Sequence, residues 1–330
     1  MARQPAHGKA TRLFGPDLLT VGAIPRAAVA RLLRLAAELK AKQRRRLVHQ
    51  PLAGTTLGLL FEKPSTRTRV SFETGMNQLG GQSLFLSASD IQLCRGETIA
   101  DTARVLSRYL DGLVVRTFDH AIVEEWAHQA TIPVINGLTD LHHPCQALSD
   151  LLTIQEKKGR LKGLKCAYVG DGNNVANSLI EAAAKVGMAV SVACPSGYEP
   201  DQRTIDLARE EARVTGSMIE LEDNPHVAVK DADVIYTDVW ISMGREREQS
   251  RRIKTLSPYQ VNERLLKEAA PDAIVMHCLP AHRGQEITGA VLDGPQSVVL
   301  DQAENRLHMQ KAILVELLAS QARSQRKGTP

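Results

Sequence analysis

The chain has 330 residues, of which 43% are hydrophobic, 24% charged and only 4% aromatic, and its formal net charge is +4. This composition is typical of a globular protein with two domains, and it excludes a disordered, collagen-like or disulfide-stabilised chain. The mild charge and the few aromatic side chains argue against a nucleic-acid partner.

The five cysteines are widely spaced, and no two of them have Cys-x-x-Cys spacing: Cys94, Cys145, Cys166, Cys194 and Cys278. We therefore expect no structural zinc site and no disulfide framework, which fits the reducing cytosol. We also expect no metal and no cofactor. No apolar run reaches the roughly 18 residues needed to cross a bilayer, and no signal-peptide core follows the first residues. The sequence thus predicts a cytoplasmic protein without a membrane partner.

In the first half of the chain, predicted strands alternate with predicted helices. Apolar residues at helical spacing predict a helix at Ile24–Lys42, and the run Thr56–Phe61 predicts a buried strand before a helix at Arg69–Leu79. The following predicted elements are strands Ser83–Ser87, Gly112–Arg116 and Pro133–Asn136, and helices Thr98–Tyr109 and Cys145–Lys158. This alternation indicates parallel βαβ units.

A second series of the same kind follows, with strands Lys165–Gly170, Ala189–Ala193, Ala232–Thr237 and Ala273–His277, and helices Val175–Val186 and Met309–Ala322. We predict an α/β protein of two domains, each a parallel sheet with helices on both faces, linked by interdomain helices. The predicted limits are 1–150 and 151–308, with a final helix in 309–330.

The tetrapeptide Ser65-Thr66-Arg67-Thr68 stands between a predicted strand and a predicted helix. Amides at a helix N-terminus are unpaired and favour an anion, and two hydroxyl groups and a guanidinium add donors for a phosphate. The alternative is that Ser65 or Thr66 only caps the helix. The absence of Gly-x-x-x-x-Gly-Lys argues against a nucleoside triphosphate site.

His143-Pro144-Cys145-Gln146 stands at a second corner between a strand and a helix. Proline at the first helical position places His143 at the mouth of the helix and Gln146 one turn further on. A histidine there could donate to a developing oxyanion, and the Gln146 amide could bind a small carbonyl compound. The alternative is that His142 and His143, two histidines in a row, are simply polar loop residues.

Two further segments follow apolar strands in the second half: Asp238-Val239-Trp240-Ile241-Ser242-Met243-Gly244 and His277-Cys278-Leu279-Pro280. Ligands bind at the carboxyl ends of strands in open α/β sheets, so Cys278 is a candidate functional thiol, although a lone cysteine is more often a small core residue. The Gly170–Asn174 loop lacks Gly-x-Gly-x-x-Gly spacing, because Val175 stands where the third glycine would be, and is a weak dinucleotide signal.

Taken together and in this order, these segments resemble the aspartate/ornithine carbamoyltransferase family, and within it the branch that uses ornithine. The resemblance covers roughly residues 13 to 322. It also includes Arg116-Thr117 and Asp301-Gln302-Ala303-Glu304-Asn305-Arg306. The Asp-x-x-x-Ser-Met-Gly and His-Cys-Leu-Pro segments are its most specific part, since relatives that use aspartate have a different second-substrate loop and lack this cysteine.

The resemblance implies site residues at matching positions. The phosphate would be held by Ser65, Thr66, Arg67, Thr68 and Arg116, with Gln92 reaching it from a neighbouring subunit. His143, Thr68 and Arg116 would face the carbonyl oxygen. Gln146, the backbone of Cys278 and Leu279, and Arg306 would fix the carbamoyl end. Asn174, Asp238, Ser242 and Met243 would bind ornithine, with Asn173 as the alternative to Asn174.

The resemblance also implies a reaction and an assembly. The reaction joins the carbamoyl group of carbamoyl phosphate to the side-chain amine of ornithine and releases phosphate and citrulline, as in arginine biosynthesis. The family implies a trimer or a multiple of trimers, with a final helix that returns to the first domain. It further implies that carbamoyl phosphate binds first and that the Ser242–Gly244 loop then folds over ornithine.

The attacking amine has to lose a proton, because an ornithine side chain with a pKa near ~10.4 is almost fully protonated at neutral pH. We expect Cys278 to line the amine pocket and to position the amine or accept its proton, while Asp238 anchors the α-ammonium group. The leaving phosphate oxygen is another possible acceptor.

The rival readings are sibling enzymes that use aspartate, putrescine or an acylated ornithine, a dinucleotide-dependent dehydrogenase, and a binding subunit without activity. Asp238 and Ser242 favour a substrate with an α-amino acid head, and the presence of Arg67, His143, Gln146, Cys278 and Arg306 argues against a non-catalytic protein.

Overall fold

The computed structural model describes residues 15–241 and 246–327, which form two parallel sheets flanked by helices. The first half contains α1 (Arg26–Arg44), β1 (Thr56–Phe61), α2 (Thr66–Gln78), β2 (Gln82–Ser87), α3 (Ile99–Leu106), β3 (Gly112–Arg116), α4 (His120–Gln129), β4 (Val134–Leu138) and α5 (Pro144–Lys158). A short 3₁₀ helix, Gln92–Arg95, lies between β2 and α3.

The second half continues with β5 (Lys165–Val169), α6 (Asn174–Val186), β6 (Ala189–Ala193), α7 (Gln202–Thr215), β7 (Ile219–Glu222), α8 (Pro225–Val229), β8 (Val234–Thr237), α9 (Gln249–Leu256), α10 (Glu263–Leu266), β9 (Ile274–His277), α11 (Gly289–Leu292) and α12 (Val299–Lys327). None of the helices among the described residues is long and apolar enough to cross a membrane.

All strands pair in parallel, in the order β2-β1-β3-β4 in the first sheet and β7-β6-β5-β8-β9 in the second. The central strands are buried on both faces, because helices cover the sheets on both sides, and they are therefore continuous apolar runs without alternation. The predicted fold class is confirmed.

Helices α1, α5, α6 and α12 share one hydrophobic core that extends from the first sheet to the second. Helix α5 is buried along its first eleven residues, Pro144–Ile154, and packs on α1, α6 and α12. Its position explains why the predicted junction at residue 150 falls inside a helix. The domain limits themselves stay a prediction.

Helix α12 begins at Val299 and not near Met309, where the apolar pattern predicted its start. Its first turns carry Gln302, Asn305 and Arg306, which are buried and hydrogen bonded. Apolar periodicity fails to detect this part of the helix because its inward face is polar. The helix packs on α1, α2 and α5 and brings Arg306 to the edge of the first sheet.

Candidate active site

A cleft of about 450 Å³ lies at the carboxyl ends of strands from both sheets. Parallel strands end at the same edge of a sheet, so segments that follow β1, β3, β8 and β9 meet there. Eleven of the predicted site residues line it: Ser65, Thr66, Arg67, Thr68, Arg116, His143, Asn174, Asp238, Cys278, Leu279 and Arg306.

The Ser65–Thr68 segment forms the N-terminus of α2 on one side of the cleft. The Ser65 hydroxyl oxygen accepts a hydrogen bond from the backbone N–H of Thr68 at 3.2 Å, so Ser65 does cap the helix. Its O–H hydrogen remains a donor, and Thr66 is exposed beside it. Capping and anion binding are therefore compatible at this corner.

Arg306 reaches this corner from α12 and is held at both ends of its guanidinium. One nitrogen, Nη2, donates to the Thr68 hydroxyl oxygen at 2.7 Å, and the other, Nη1, donates to the Gln146 amide oxygen at 2.7 Å. Both partners come from the first half of the chain, on α2 and α5. The long return of the C-terminal helix thus completes a cationic cluster on the first sheet.

Arg116, at the end of β3, and His143, before α5, are buried next to Arg306. Burial, followed by the charges of Arg306 and Arg67, lowers the pKa of Arg116 to about 10, so its guanidinium is still charged at neutral pH. Burial and the charges of Arg306 and Arg116 hold the pKa of His143 well below its usual range, so the ring is neutral. A neutral imidazole keeps one N–H donor for a carbonyl oxygen.

Three nitrogens in this cluster are buried without a hydrogen-bond partner in the described part of the chain: Arg116 Nε, His143 Nδ1 and Arg306 Nε. Buried donors are normally paired, since leaving one unpaired costs about 1–3 kcal/mol. Such a set of polar groups at a cleft is suited to an anion or a polar carbonyl compound.

On the opposite side of the cleft, Asp238 follows β8 and Cys278 follows β9. The Cys278 thiol donates to Asp238 Oδ1 at 2.9 Å, and the Asn173 amide donates to Asp238 Oδ2 at 2.8 Å. Burial, then the charge of Asp238 and its hydrogen bond, raise the pKa of Cys278 well above its usual range. The thiol is therefore protonated and orients the Asp238 carboxylate. This arrangement does not support Cys278 as the acceptor of the amine proton.

The two asparagines before α6 have different surroundings. Asn173 caps α6 through its side-chain oxygen, which also accepts from the Tyr168 hydroxyl at 3.1 Å. Asn174 lines the cleft, and its amide nitrogen donates to the Thr139 carbonyl oxygen at 2.5 Å. Of the two, Asn174 is the one that presents a free side-chain oxygen to the cleft among the described residues.

Asp238, His277 and Cys278 bring three potential metal-ligand atoms within 4.8 Å of one another. Both ring nitrogens of His277 are hydrogen bonded: Nδ1 accepts from the Leu279 N–H at 2.9 Å, and Nε2 contacts Glu286 at 3.2 Å. Asp238 and Cys278 are hydrogen bonded to each other, whereas His277 is bonded to other residues. The expectation of no metal stays a prediction.

Two of the predicted site residues that the structure describes do not line the cleft, and two others are not described. Gln146 lies behind it and contacts it through Arg306. Gln92 is exposed on the 3₁₀ helix outside the cleft, so its predicted role in a neighbouring subunit stays a prediction. Ser242 and Met243 lie outside the described residues.

Two groups at or near the cleft were missed by the sequence interpretation. The buried Lys63 lines the cleft, forms an ion pair with Asp140 and stands 4.0 Å from the Phe118 ring centroid. Asp150, fully buried on α5, accepts hydrogen bonds from Gln146 and from two residues of the second half. A lysine in a loop and an aspartate in a helix both resemble surface residues, so only their burial in the fold reveals them.

Known proteins match this chain along most of its length. Residues 16–156 match the aspartate/ornithine carbamoyltransferase carbamoyl-P binding domain, and residues 162–317 match the Asp/Orn binding domain of that family. The ornithine carbamoyltransferase of Anoxybacillus flavithermus is 57% identical over 307 residues, which are 93% of this chain and 98% of the relative.

An anabolic ornithine carbamoyltransferase of Pyrococcus furiosus is also 57% identical, over 92% of this chain and 96% of the relative. The solved structure of an ornithine carbamoyltransferase from that organism superposes with a TM-score of 0.91 at 55% identity and covers 94% of this chain and 99% of the other. With both domains matched, and with the motif residues gathered in one cleft, the chain belongs to the aspartate/ornithine carbamoyltransferase family.

Proposed function

We propose that the chain transfers the carbamoyl group of carbamoyl phosphate to the side-chain amine of L-ornithine, giving L-citrulline and phosphate. The observation that carries this proposal is the shared cleft, in which a cluster of arginines faces the Asp238–Cys278 pair. Relatives at 57% identity that are named for this activity support it, and the anabolic relative supports a role in arginine biosynthesis.

At the carbamoyl phosphate end, Ser65, Thr66, Arg67, Thr68 and Arg116 bind the phosphate. A guanidinium donates two parallel hydrogen bonds to phosphate oxygens, and hydroxyl groups at a helix N-terminus complete the set. Support comes from the position of these side chains on one wall of the cleft.

The carbamoyl end of the same substrate is bound by Arg306, Gln146 and the backbone of Cys278 and Leu279. As the amine attacks the carbonyl carbon, negative charge builds on the carbonyl oxygen, and Arg116, Thr68 and the neutral His143 donate to it. Buried donors that are already oriented stabilise this charge with little reorganisation. The C–O bond to phosphate then breaks, and phosphate leaves.

At the ornithine end, Asp238 anchors the α-ammonium group together with Asn174, Ser242 and Met243. Cys278 holds the Asp238 carboxylate and lines the pocket for the side-chain amine. The proton of the attacking amine leaves with the phosphate oxygen, since the protonated Cys278 thiol is a donor. Carbamoyl phosphate binds first, and the Ser242–Gly244 loop closes over ornithine.

The proposed assembly is a homotrimer or a multiple of trimers in the cytoplasm, in which Gln92 completes a neighbouring subunit's phosphate site. Large apolar side chains are exposed at Leu84 and Phe85 on β2, the strand that precedes the 3₁₀ helix carrying Gln92. The proposed domains are 1–150 for carbamoyl phosphate and 151–308 for ornithine, with 309–330 returning to the first. Light scattering of the purified chain tests the trimer, and a monomer with full activity would contradict it.

A direct test of the function is citrulline or carbamoyl-product formation from carbamoyl phosphate with four amines in parallel. We expect L-ornithine to react at least a hundredfold faster than putrescine, L-aspartate or N-acetylornithine, because a missing or blocked charged group leaves a buried partner unpaired. Faster reaction of any of the other three amines would assign the chain to a sibling activity. No product with any amine would overturn the proposal.

A further inference from the structure

Asp150 is a buried carboxylate at the centre of the molecule, and the proposed reaction does not use it. It is 0% exposed on α5. Its Oδ1 accepts from the amides of Gln146 and Gln302, both at 2.8 Å, and its Oδ2 accepts from the Tyr236 hydroxyl at 3.0 Å. The three donors come from α5, α12 and β8, so the carboxylate joins the two halves of the chain.

The Gln146 amide lies between this carboxylate and Arg306. Its nitrogen donates to Asp150, and its oxygen accepts from Arg306 Nη1 at 2.7 Å. An ionised carboxylate only accepts hydrogen bonds, and a guanidinium only donates them. Reversing the amide would therefore place two acceptors together at Asp150 and two donors together at Arg306. Only one orientation of Gln146 satisfies both neighbours.

The orientation of Gln146 in turn fixes Arg306. The guanidinium of this residue has two described hydrogen bonds, to Gln146 and to the Thr68 hydroxyl, and its Nε has no partner in the described part of the chain. Loss of the Gln146 contact would leave Thr68 as its only described partner. A planar guanidinium held at one end can rotate away from a bound carbonyl group.

We propose that Asp150 is a positioning residue that, by fixing the Gln146 amide, orients the Arg306 guanidinium toward the carbamoyl group of the substrate. The proposal rests on the function proposed above and adds a residue to it. Asp150 is also linked through Gln302 to the wall of the cleft that carries Cys278, because Gln302 accepts from the backbone N–H of His277 at 2.9 Å.

The protonation state of Asp150 agrees with this role. Burial raises its pKa to about 6, and hydrogen bonds from Gln146, Gln302 and Tyr236, together with the charge of Arg306, oppose a further rise. Near pH 7.5 the carboxylate is therefore mostly ionised and can only accept. It also supplies a buried negative charge close to the buried Arg306, whose charge would otherwise be costly in this interior.

The test is ligand binding to Asp150→Asn near pH 7.5. An asparagine has the same shape but presents an amide, whose NH₂ can face Gln146 and favour the reversed orientation. We expect carbamoyl phosphate to bind about 10–100-fold more weakly, as when a buried hydrogen bond to a charged group is lost. Inorganic phosphate, which depends on Ser65–Thr68 and Arg116 in the proposed function, should bind within about twofold of wild type by calorimetry.

Tyr236→Phe is the matched control, because it removes one hydrogen bond of Asp150 and leaves the contacts of Gln146 with Asp150 and Arg306 in place. We expect carbamoyl phosphate to bind within about threefold of wild type in this variant. A loss as large as that of Asp150→Asn would show that any disturbance of the cluster has the same effect, and it would overturn the proposal.

Moving the carboxylate from position 150 to position 146 gives an independent test. In Gln146→Glu alone, two carboxylates would face each other, and affinity for carbamoyl phosphate should fall. In the double variant Asp150→Asn, Gln146→Glu, the glutamate can accept from both Arg306 and the asparagine amide, so affinity should recover at least about tenfold over Gln146→Glu. This comparison remains informative if Asp150→Asn alone does not fold.

Wild-type affinity for carbamoyl phosphate in Asp150→Asn, equal losses for carbamoyl phosphate and phosphate, or no recovery in the double variant would each overturn the role of Asp150. These results differ from a failure of the proposed function. In that case, the wild-type chain itself would form no citrulline.

Discussion

The proposed phosphate side of the cleft, around Arg116 and Arg306, and the proposed amine side, around Asp238 and Cys278, differ in where their polar groups find partners. On the phosphate side, Arg116 Nε, His143 Nδ1 and Arg306 Nε are buried without a hydrogen-bond partner among the described residues. On the amine side, both oxygens of Asp238 are already occupied, by the Cys278 thiol and the Asn173 amide.

This difference suggests why the two substrates would bind in order. An anion or carbonyl group can occupy the first side without breaking a protein hydrogen bond, and it relieves the cost of unpaired buried donors. In the proposed function, an ammonium group on the second side has to share Asp238 with two internal donors, so its binding would depend more on loop closure and on the first substrate. The proposal therefore predicts that the first substrate binds without breaking a protein hydrogen bond, whereas ornithine has to compete with the existing partners of Asp238.

The largest expected effect is that of Arg116→Gln on the phosphate side. This change removes a buried donor that, in the proposed function, faces both the phosphate and the carbonyl oxygen, and we expect kcat to fall about 10²–10³-fold, as for a lost oxyanion donor. Steady-state citrulline formation measures it. Arg104→Gln, which changes an exposed arginine on α3 paired with Asp101, is the control and should leave kcat unchanged. A kcat within threefold of wild type in Arg116→Gln would remove this residue from the mechanism.

Cys278→Ala should affect the amine side selectively. Without the thiol donor, Asp238 loses one of its two described partners, and the pocket for the amine loses a wall. We expect KM for ornithine to rise about tenfold, the effect of one hydrogen bond to a charged group, while Kd for carbamoyl phosphate changes less than about twofold. Cys278→Ser, which keeps a donor, should lie between this variant and wild type. Equal weakening of both substrates would contradict the division of the cleft into two sides.

Arg67→Lys tests the geometry of the phosphate side at constant charge. Lysine keeps the positive charge but cannot donate two parallel hydrogen bonds to phosphate oxygens. We expect KM for carbamoyl phosphate to rise about tenfold with little change in KM for ornithine. If turnover at limiting carbamoyl phosphate equals that of wild type, Arg67 acts only through its charge or does not contact the phosphate.

The same two sides show how far the sequence alone could go. Ser65, His143 and Cys278 were identified because each follows a predicted strand, and strands such as β1 (Thr56–Phe61) and β3 (Gly112–Arg116) are continuous apolar runs with clear ends. Each of these segments can therefore be recognised from the apolar residues directly before it. Parallel pairing then forces them to one edge, so the position of the cleft could be predicted as well.

The supporting groups could not be predicted in the same way. Asp150 lies in the buried part of α5, Pro144–Ile154, and its partners Tyr236 and Gln302 are far away in sequence. The start of α12 was also missed, because the inward face of its first turns is polar. Buried polar networks depend on pairings between distant segments, and apolar periodicity carries no information about them.

A last prediction concerns the alkylation rate of Cys278, which reports how strongly the charge of Asp238 raises the pKa of the thiol. Only the thiolate reacts with iodoacetamide, and burial and the negative charge of Asp238 raise the thiol pKa well above its usual range. We therefore expect Cys278 to be alkylated slowly at pH 8. Asp238→Asn removes the charge that disfavours the thiolate, so the pKa should fall and alkylation should be faster, by about tenfold for each unit of pKa.

Mass spectrometry of the Cys278 peptide follows this reaction separately from the other thiols. Burial is the largest cause of the raised pKa and persists in the variant, so the thiol should remain slower than a free cysteine. An unfolded sample in denaturant gives the unperturbed alkylation rate for the same peptide. Equal alkylation rates for wild type and Asp238→Asn would mean that the Asp238 charge does not raise the pKa of the thiol. Asp238 and Cys278 would then act on the amine independently.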